Sequence, residues 1–151
     1  MADRKTEIRE LGEFDRISMR GIGKLVISQG KKQELTLEGD DIAISRITTN
    51  VTDGELVIDI GRDWVEKLSA GFDFLSSHDI RITIVAKNLK DLEVAGAADI
   101  EVSGIKTDEL GLRLVGASNV KVDGLKADRL ETEIPGAGKI RVEGEVKEQS
   151  V

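Results

Sequence analysis

The sequence contains no cysteine, which excludes disulfide bonds and thiolate-ligated metal sites and leaves the compartment open on that count. It contains one histidine, His78, so a triad of nucleophile, histidine and acid would have to be built on that residue. There is no excess of basic charge. Lysine and arginine number 22 against 29 aspartates and glutamates, a net charge of -7, so no basic face is on offer to the phosphates of a nucleic acid. No apolar run approaches the roughly eighteen residues that a bilayer-spanning helix needs. Aromatic residues are nearly absent, and Trp64, Phe72 and Phe74 are three of the four in the chain. At 151 residues the chain is long enough to bury one core, and one domain is expected.

What the sequence does have is repetition. Leu92, Val94, Gly96, Ile100, Val102, Gly104, Asp108 and Leu110 recur twenty residues later as Leu112, Leu114, Gly116, Val120, Val122, Gly124, Asp128 and Leu130. A third copy runs Thr132, Ile134, Gly136, Ile140, Val142, Gly144 and Val146. Self-similarity at a fixed spacing marks a solenoid, in which each unit is too small to bury its own apolar face and stacks on a neighbour. Within each copy the apolar residues alternate, which is the period of a strand with one buried face, and glycines interrupt the runs too often for a helix. The glycines read as corners, and one unit reads as two short strands and two turns.

The expected fold is therefore all-β, a parallel β-helix or β-solenoid with coils of about twenty residues, right-handed because parallel crossovers take that hand. Stacking places residues of successive copies about 4.8 Å apart, so outward charges should alternate in sign up the stack. Glu93, Arg113 and Glu133 do so, Glu101 precedes Lys121 and Arg141, and Asp99 leads to Asn119 and Lys139. Asp123 with Glu143, Lys121 with Arg141, and the carboxylates at 108, 128 and 148 depart from the rule.

The wording Leu92-Glu-Val-Ala-Gly-Ala-Ala-Asp-Ile100, Leu114-Val-Gly-Ala-Ser-Asn-Val120 and Pro135-Gly-Ala-Gly-Lys-Ile140 resembles the family described as putative auto-transporter adhesin, head GIN domain. The resemblance extends to Phe14-Asp-Arg-Ile17, to Gly23-Lys-Leu-Val-Ile-Ser-Gln-Gly30 and to Asp53-Gly-Glu-Leu-Val-Ile58. It implies a right-handed β-helix-like fold and a place at or beyond the bacterial envelope, and it carries over no functional residue. Family members usually begin with an export or lipoprotein signal, whereas this chain opens Met1-Ala-Asp-Arg-Lys-Thr-Glu without an apolar stretch. Members also usually continue with further glycine-rich repeats, so the chain reads either as a trimmed piece or as a compact relative.

Upstream of the repeats, residues 1–12 are charged and read as a frayed terminus, ahead of one domain over residues 13–151. A first strand is expected near residues 14–19. Residues 24–29 and 34–38 flank Gly30-Lys31-Lys32 and read as a hairpin, and residues 44–51 and 55–60 flank Thr52-Asp53-Gly54, a strong hairpin signal. These N-terminal hairpins, within residues 13–90, make the opening third antiparallel or mixed β, and are expected to form the first rungs or a cap over the open edge of the three repeats in 91–151. Residues 63–77 interrupt the strand pattern, with Asp63 and Glu66 spaced as the cap of a short helix.

In that insertion Trp64, Phe72 and Phe74 would form a sugar-stacking or partner-docking surface if displayed, and a plug for the mouth or side of the solenoid if packed, the commoner fate of aromatics. Ser76, Ser77, His78 and Asp79 hold the side chains of a triad, but neighbours in sequence do not converge in space, and an exposed loop is expected. Glu38, Asp40 and Asp41 offer oxygens to calcium without the spacing of a calcium loop, and read as a solvated turn. Asp99, Asp123 and Glu143 would be the carboxylates of a polysaccharide lyase or hydrolase on a β-helix, though outward charges usually form just a soluble face. The sequence thus points to a non-enzymatic surface module without cofactor or metal, binding a glycan, a matrix component or a protein partner, with self-association through a solenoid end or edge. The alternative is a carbohydrate-active enzyme.

Overall fold

The computed structural model of the protein describes residues 4–60 and 80–150. Trp64, Phe72 and Phe74, like Ser76, Ser77, His78 and Asp79, lie outside the described residues. The chain runs β1 (Arg4–Arg9), β2 (Arg16–Gln29), β3 (Glu34–Asp40), α1 (Asp41–Arg46), β4 (Ile47–Thr52), β5 (Glu55–Ile60), β6 (Arg81–Ala86), β7 (Asp91–Ser103), β8 (Lys106–Gly116), β9 (Asn119–Glu133) and β10 (Lys139–Ser150). Among the described residues ten strands form one open, mixed sheet, and these residues are all-β apart from the six of α1.

The repeats pair in parallel at the twenty-residue offset. Asp91 to Gly96 lie opposite Gly111 to Gly116, Asp99 to Ser103 opposite Asn119 to Asp123, and Lys106 to Arg113 opposite Lys126 to Glu133. Lys139 to Glu143 follow on Asn119 to Asp123. Each unit thus has three paired segments rather than the expected two, because Lys106 to Leu110 also joins a ladder. Its alternation is hidden by Thr107, Asp108 and Glu109, which face outward or half outward. β2 lies against β7 along its whole length and rests on β5 and β6, so Ile17 and Met19 stack with Leu56 and Ile58 on one side and with Leu92 and Val94 on the other.

Alternate residues of these strands fill one aliphatic core. Ile17, Leu92 and Leu112 are 1%, 1% and 2% exposed, and Met19, Val94 and Leu114 are fully buried. Burying an aliphatic side chain is worth about 1.5–3 kcal/mol, so stacking rather than any local preference holds the short strands in place.

The N-terminal part is antiparallel in places, as its hairpin signals predict: β3 runs antiparallel to β6 and to β1, and β4 antiparallel to β5, so the sheet as a whole is mixed rather than a uniformly parallel β-helix. That part departs from the expectations in three other ways. Residues 4–9 are not frayed but form β1, because Arg9 reaches across to Ile47 O at 2.7 Å, Thr49 Oγ1 at 3.1 Å and Ile44 O at 3.3 Å. Residues 24–29 and 34–38 do not form a hairpin. β6 lies between β2 and β3, since Leu25 and Ile27 already stack on Ile82 and Ile84 below and on Ile100 and Val102 above. Residues 44–46 end α1 instead of opening a strand, which turns Ile44 into the core. The hairpin at Asp53-Gly54 forms as expected, with positive φ at both residues (52° and 78°), the geometry of a tight two-residue turn.

Candidate interaction surface

The repeats build two things at once, a column of glycines at one corner and a grid of charged side chains on the faces. Gly96 and Gly116 have φ of 134° and 106°, and a Cβ on either would strike the carbonyl oxygen of the glycine one rung below, Gly21 and Gly96 respectively. Gly136 sits over Gly116 in the same way. Those carbonyls accept from the rung above, Ala117 N to Gly96 O at 3.0 Å and Ala137 N to Gly116 O at 2.8 Å. Beside the column Ser118 is fully buried. Its Oγ accepts from Ala98 N and donates to Gly96 O, both at 3.1 Å, so a hydroxyl stitches two rungs together. This corner holds the outward faces in register.

On one face Arg113 lies between Glu93 at 3.9 Å and Glu133 at 3.7 Å, so the alternating column read from the sequence is formed. On the next, Asn119 Nδ2 donates to Asp99 Oδ1 at 3.4 Å, and Lys24 meets Glu101 at 3.5 Å. The like-charged neighbours Lys121 with Arg141 and Asp123 with Glu143 are directly opposite in register, yet each cation pairs along its own strand, Lys121 with Asp123 at 3.7 Å and Arg141 with Glu143 at 3.2 Å. Four charges at the corners of a rectangle thus cancel along the strands rather than across them. Arg129 collects Glu109 and Glu131 at 3.8 Å and Glu148 at 3.9 Å. These exposed pairs contribute little stability, up to about 1 kcal/mol each. Their consequence is a face whose side chains are held at fixed spacing.

A shallow groove of about 670 Å³ runs over the first face between Arg16, Glu55, Asp91, Arg113, Glu131 and Glu133. Partial burial lifts the Asp91 carboxyl above its usual range. Arg16, its neighbour in register, works against that shift, and the carboxylates of Asp15, Glu131 and Glu109 add to it. A second groove of about 900 Å³ lies on the third face, with Gln29, Lys106, Asp108, Lys126, Asp128 and Lys147 among its walls.

Of the carboxylates singled out in the sequence, Asp123 and Glu143 lie opposite each other in register and each carries a cation of its own, whereas Asp99 stands at the other end of its paired segment. Glu38 and Asp40 belong to β3 and Asp41 opens α1, so they do not sit in the expected turn. Among the described residues no three histidine, cysteine, aspartate or glutamate side chains come together as a metal site. No helix among them is long and apolar enough to cross a membrane. Asp91, Arg16 and Ser118 went unnoticed in the sequence. Arg16 and Asp91 are joined only by the excursion through β3 to β6, which breaks the twenty-residue period, and Ser118 has Ala98 and Gly138 as its equivalents.

The fold is shared with solved structures. A putative adhesin from Bacteroides fragilis NCTC 9343 superposes with a TM-score of 0.80 at 22% identity, over 95% of this chain and 64% of that one. A putative lipid binding protein and a putative adhesin, both from Parabacteroides distasonis ATCC 8503, give TM-scores of 0.68 and 0.69 at 21% and 16% identity, each covered over 68% of its length. The chain therefore spans less than two thirds of the Bacteroides protein. None of the curated proteins compared matches the sequence. Residues 13–151 match the family described as "Putative auto-transporter adhesin, head GIN domain", and the chain belongs to that family.

Proposed function

We propose that the chain is a non-enzymatic interaction module of the cell envelope or its exterior, which presents a rigid grid of side chains to a glycan, a matrix component or a protein partner. On this reading the twenty-residue register winds as a right-handed coil, the hand that parallel crossovers take. One observation carries the proposal: the Glu93, Arg113 and Glu133 column, held by the parallel register of its strands, fixes charged groups at the spacing of the rungs. A preorganised polar surface of this kind loses little side-chain entropy when it binds. The adhesin description of the family and of two structural relatives supports a role outside the cell.

The competing reading, a carbohydrate-active enzyme, draws on Asp91, a carboxyl with a raised proton affinity in an open groove. Glycoside cleavage uses two carboxyl groups on either side of the bond, and raised proton affinity at one of them suits the acid. A glycan array combined with a turnover assay on acidic polysaccharides separates the two. Binding without turnover, weakened by Arg113→Glu, is the expected result. Turnover abolished by Asp91→Asn would sink the non-enzymatic reading.

A further inference from the structure

On the first face Arg16, Asp91, Gly111 and Glu131 share one outward column, each on its own rung. The repeats on either side of Gly111 place a carboxylate in this column, so the glycine leaves a gap of one side chain. The backbone does not require it. Gly111 lacks the positive φ of Gly96 and Gly116, and the ladders that join β8 to β7 and to β9 pass it without a bulge. A Cβ on Gly111 would strike Asp91 Oδ1, the movable end of a side chain, whereas the nearest backbone atom, Lys90 O, is 3.8 Å away. Glycine inside a strand weakens it, and where no bulge or crowded backbone explains the residue, it marks a place that a ligand approaches closely.

Two grooves meet at this gap. The groove of about 670 Å³ reaches it from the side of Arg113, a smaller one of about 370 Å³ reaches it from the side of Glu109 and Arg129, and Asp91, Gly111 and Glu131 line both. They form one trough floored by backbone. The Asp91 carboxylate stands over that floor with no ion pair or hydrogen bond among the described residues, because Arg16 turns instead to Asp15 at 3.7 Å and to Asp53 O. Arg113 and Arg129 are each shared among carboxylates, and carboxylates outnumber cations along the walls. The trough is therefore short of hydrogen-bond donors.

We propose that the gap at Gly111 is the saccharide subsite of this module, for a sugar that brings hydrogen-bond donors and no anion. The proposal rests on the non-enzymatic binding reading and names the ligand class for it. A sugar hydroxyl donates to Asp91 and accepts from a neighbouring guanidinium, so adjacent hydroxyls match this mixture of groups. An acidic sugar would add acceptors and negative charge to walls that already have both in excess. A peptide fits less well. The backbone of β8 is paired on both sides and cannot take up an added strand, and Leu110 and Leu112 beneath the trough are 1% and 2% exposed, which leaves no apolar pocket for an anchoring side chain.

Nuclear magnetic resonance titration of the isotope-labelled chain tests the site, with mannotetraose as the neutral probe, a chitosan tetramer as the ammonium-bearing one and tetragalacturonate as the acidic one. The first two should shift the amides of Asp91, Gly111 and Glu131, and the third should not. Gly111→Thr fills the gap and Asp91→Ala removes the acceptor without filling it, and each should weaken binding by roughly tenfold. Gly111→Thr should also melt no lower than the unaltered chain, because a strand interior prefers a β-branched residue to glycine. A lower Tm for Gly111→Thr together with undiminished binding by Asp91→Ala would overturn the proposal, and so would a preference for tetragalacturonate. Saccharide shifts confined to another face, or shifts at Gly111 from a lysine-rich peptide alone, would overturn this subsite and leave the interaction module standing. A chain that binds no glycan and no protein would remove both.

Discussion

At the scale of single residues, the corner glycines and Asp91 carry the most specific physics. Gly116 and Gly104 both have positive φ, but a Cβ on Gly116 would meet the Gly96 backbone, whereas nothing lies within 4 Å of the Cβ position on Gly104. Gly104→Ala should therefore cost only the left-handed backbone penalty of about 1–2 kcal/mol. Gly116→Ala adds the forced separation of two rungs and should cost roughly 2–4 kcal/mol, a fall in Tm of roughly 5–15 °C in a thermal melt. Equal losses for the two would show that the backbone contact is unimportant. For Asp91 the folded carboxyl binds its proton more tightly than the unfolded one, mainly because of burial. The native state thus holds more protons in the window just above the ordinary carboxylate range, and stability falls as pH rises through it. Asp91→Asn should remove that slope and leave the protein at least as stable near neutrality, as measured by urea denaturation between about pH 4 and pH 7. The glycine spacing announced the corners, but which glycines face a backbone and which face solvent depends on what the neighbouring rung puts there.

At the scale of elements, β1 shows how a charged segment becomes a strand. Lys5, Glu7 and Arg9 read as a solvated tail, yet the Arg9 side chain is only 22% exposed and its guanidinium hydrogen-bonds to Ile47, Thr49 and Ile44. It also holds Glu7 at 2.7 Å, and that hydrogen bond pulls the Glu7 carboxyl below its usual range. Arg9→Ala should cost about 2 kcal/mol, or a Tm lower by roughly 4–8 °C, and should remove hydrogen-exchange protection from β1 ahead of the rest of the sheet. Arg9→Lys should recover only part of this, because an ammonium lacks the planar fork that reaches several acceptors at once. Protection of β1 unchanged in Arg9→Ala would show that the strand stands without it. The two expected hairpins divide for a related reason. Asp53-Gly54 supplies the φ values its turn needs, so local chemistry decides it. Gly30-Lys31-Lys32 leaves the chain free to travel, and β3 pairs with β6 instead of β2 because both edges of residues 24–29 are already occupied.

At the scale of the whole molecule, twenty-residue periodicity determined by itself which residues stack on which from Asp91 to Glu143; past the bulge at Gly144 the register slips by one, so that Glu145 lies on Lys126 and Glu148 on Arg129. The interior alternation of Leu, Ile and Val and the sign alternation of Glu93, Arg113 and Glu133 both require the register that is found. That much is legible because a repeat makes neighbours in space out of residues at constant separation in sequence. Tertiary structure alone decided the rest. It placed β2 between the rung of β5 and β6 and the first repeat, it paired β3 with β6 instead of β2, and it brought Arg16 beside Asp91. It also resolved the apparent clashes of Lys121 with Arg141 and Asp123 with Glu143 by pairing each cation along its own strand. The physical reason is common to all of these. Alternation records which face of a strand is dry, but the choice of partner belongs to whichever strand can bury that face, and across an aperiodic excursion only the packed core makes that choice.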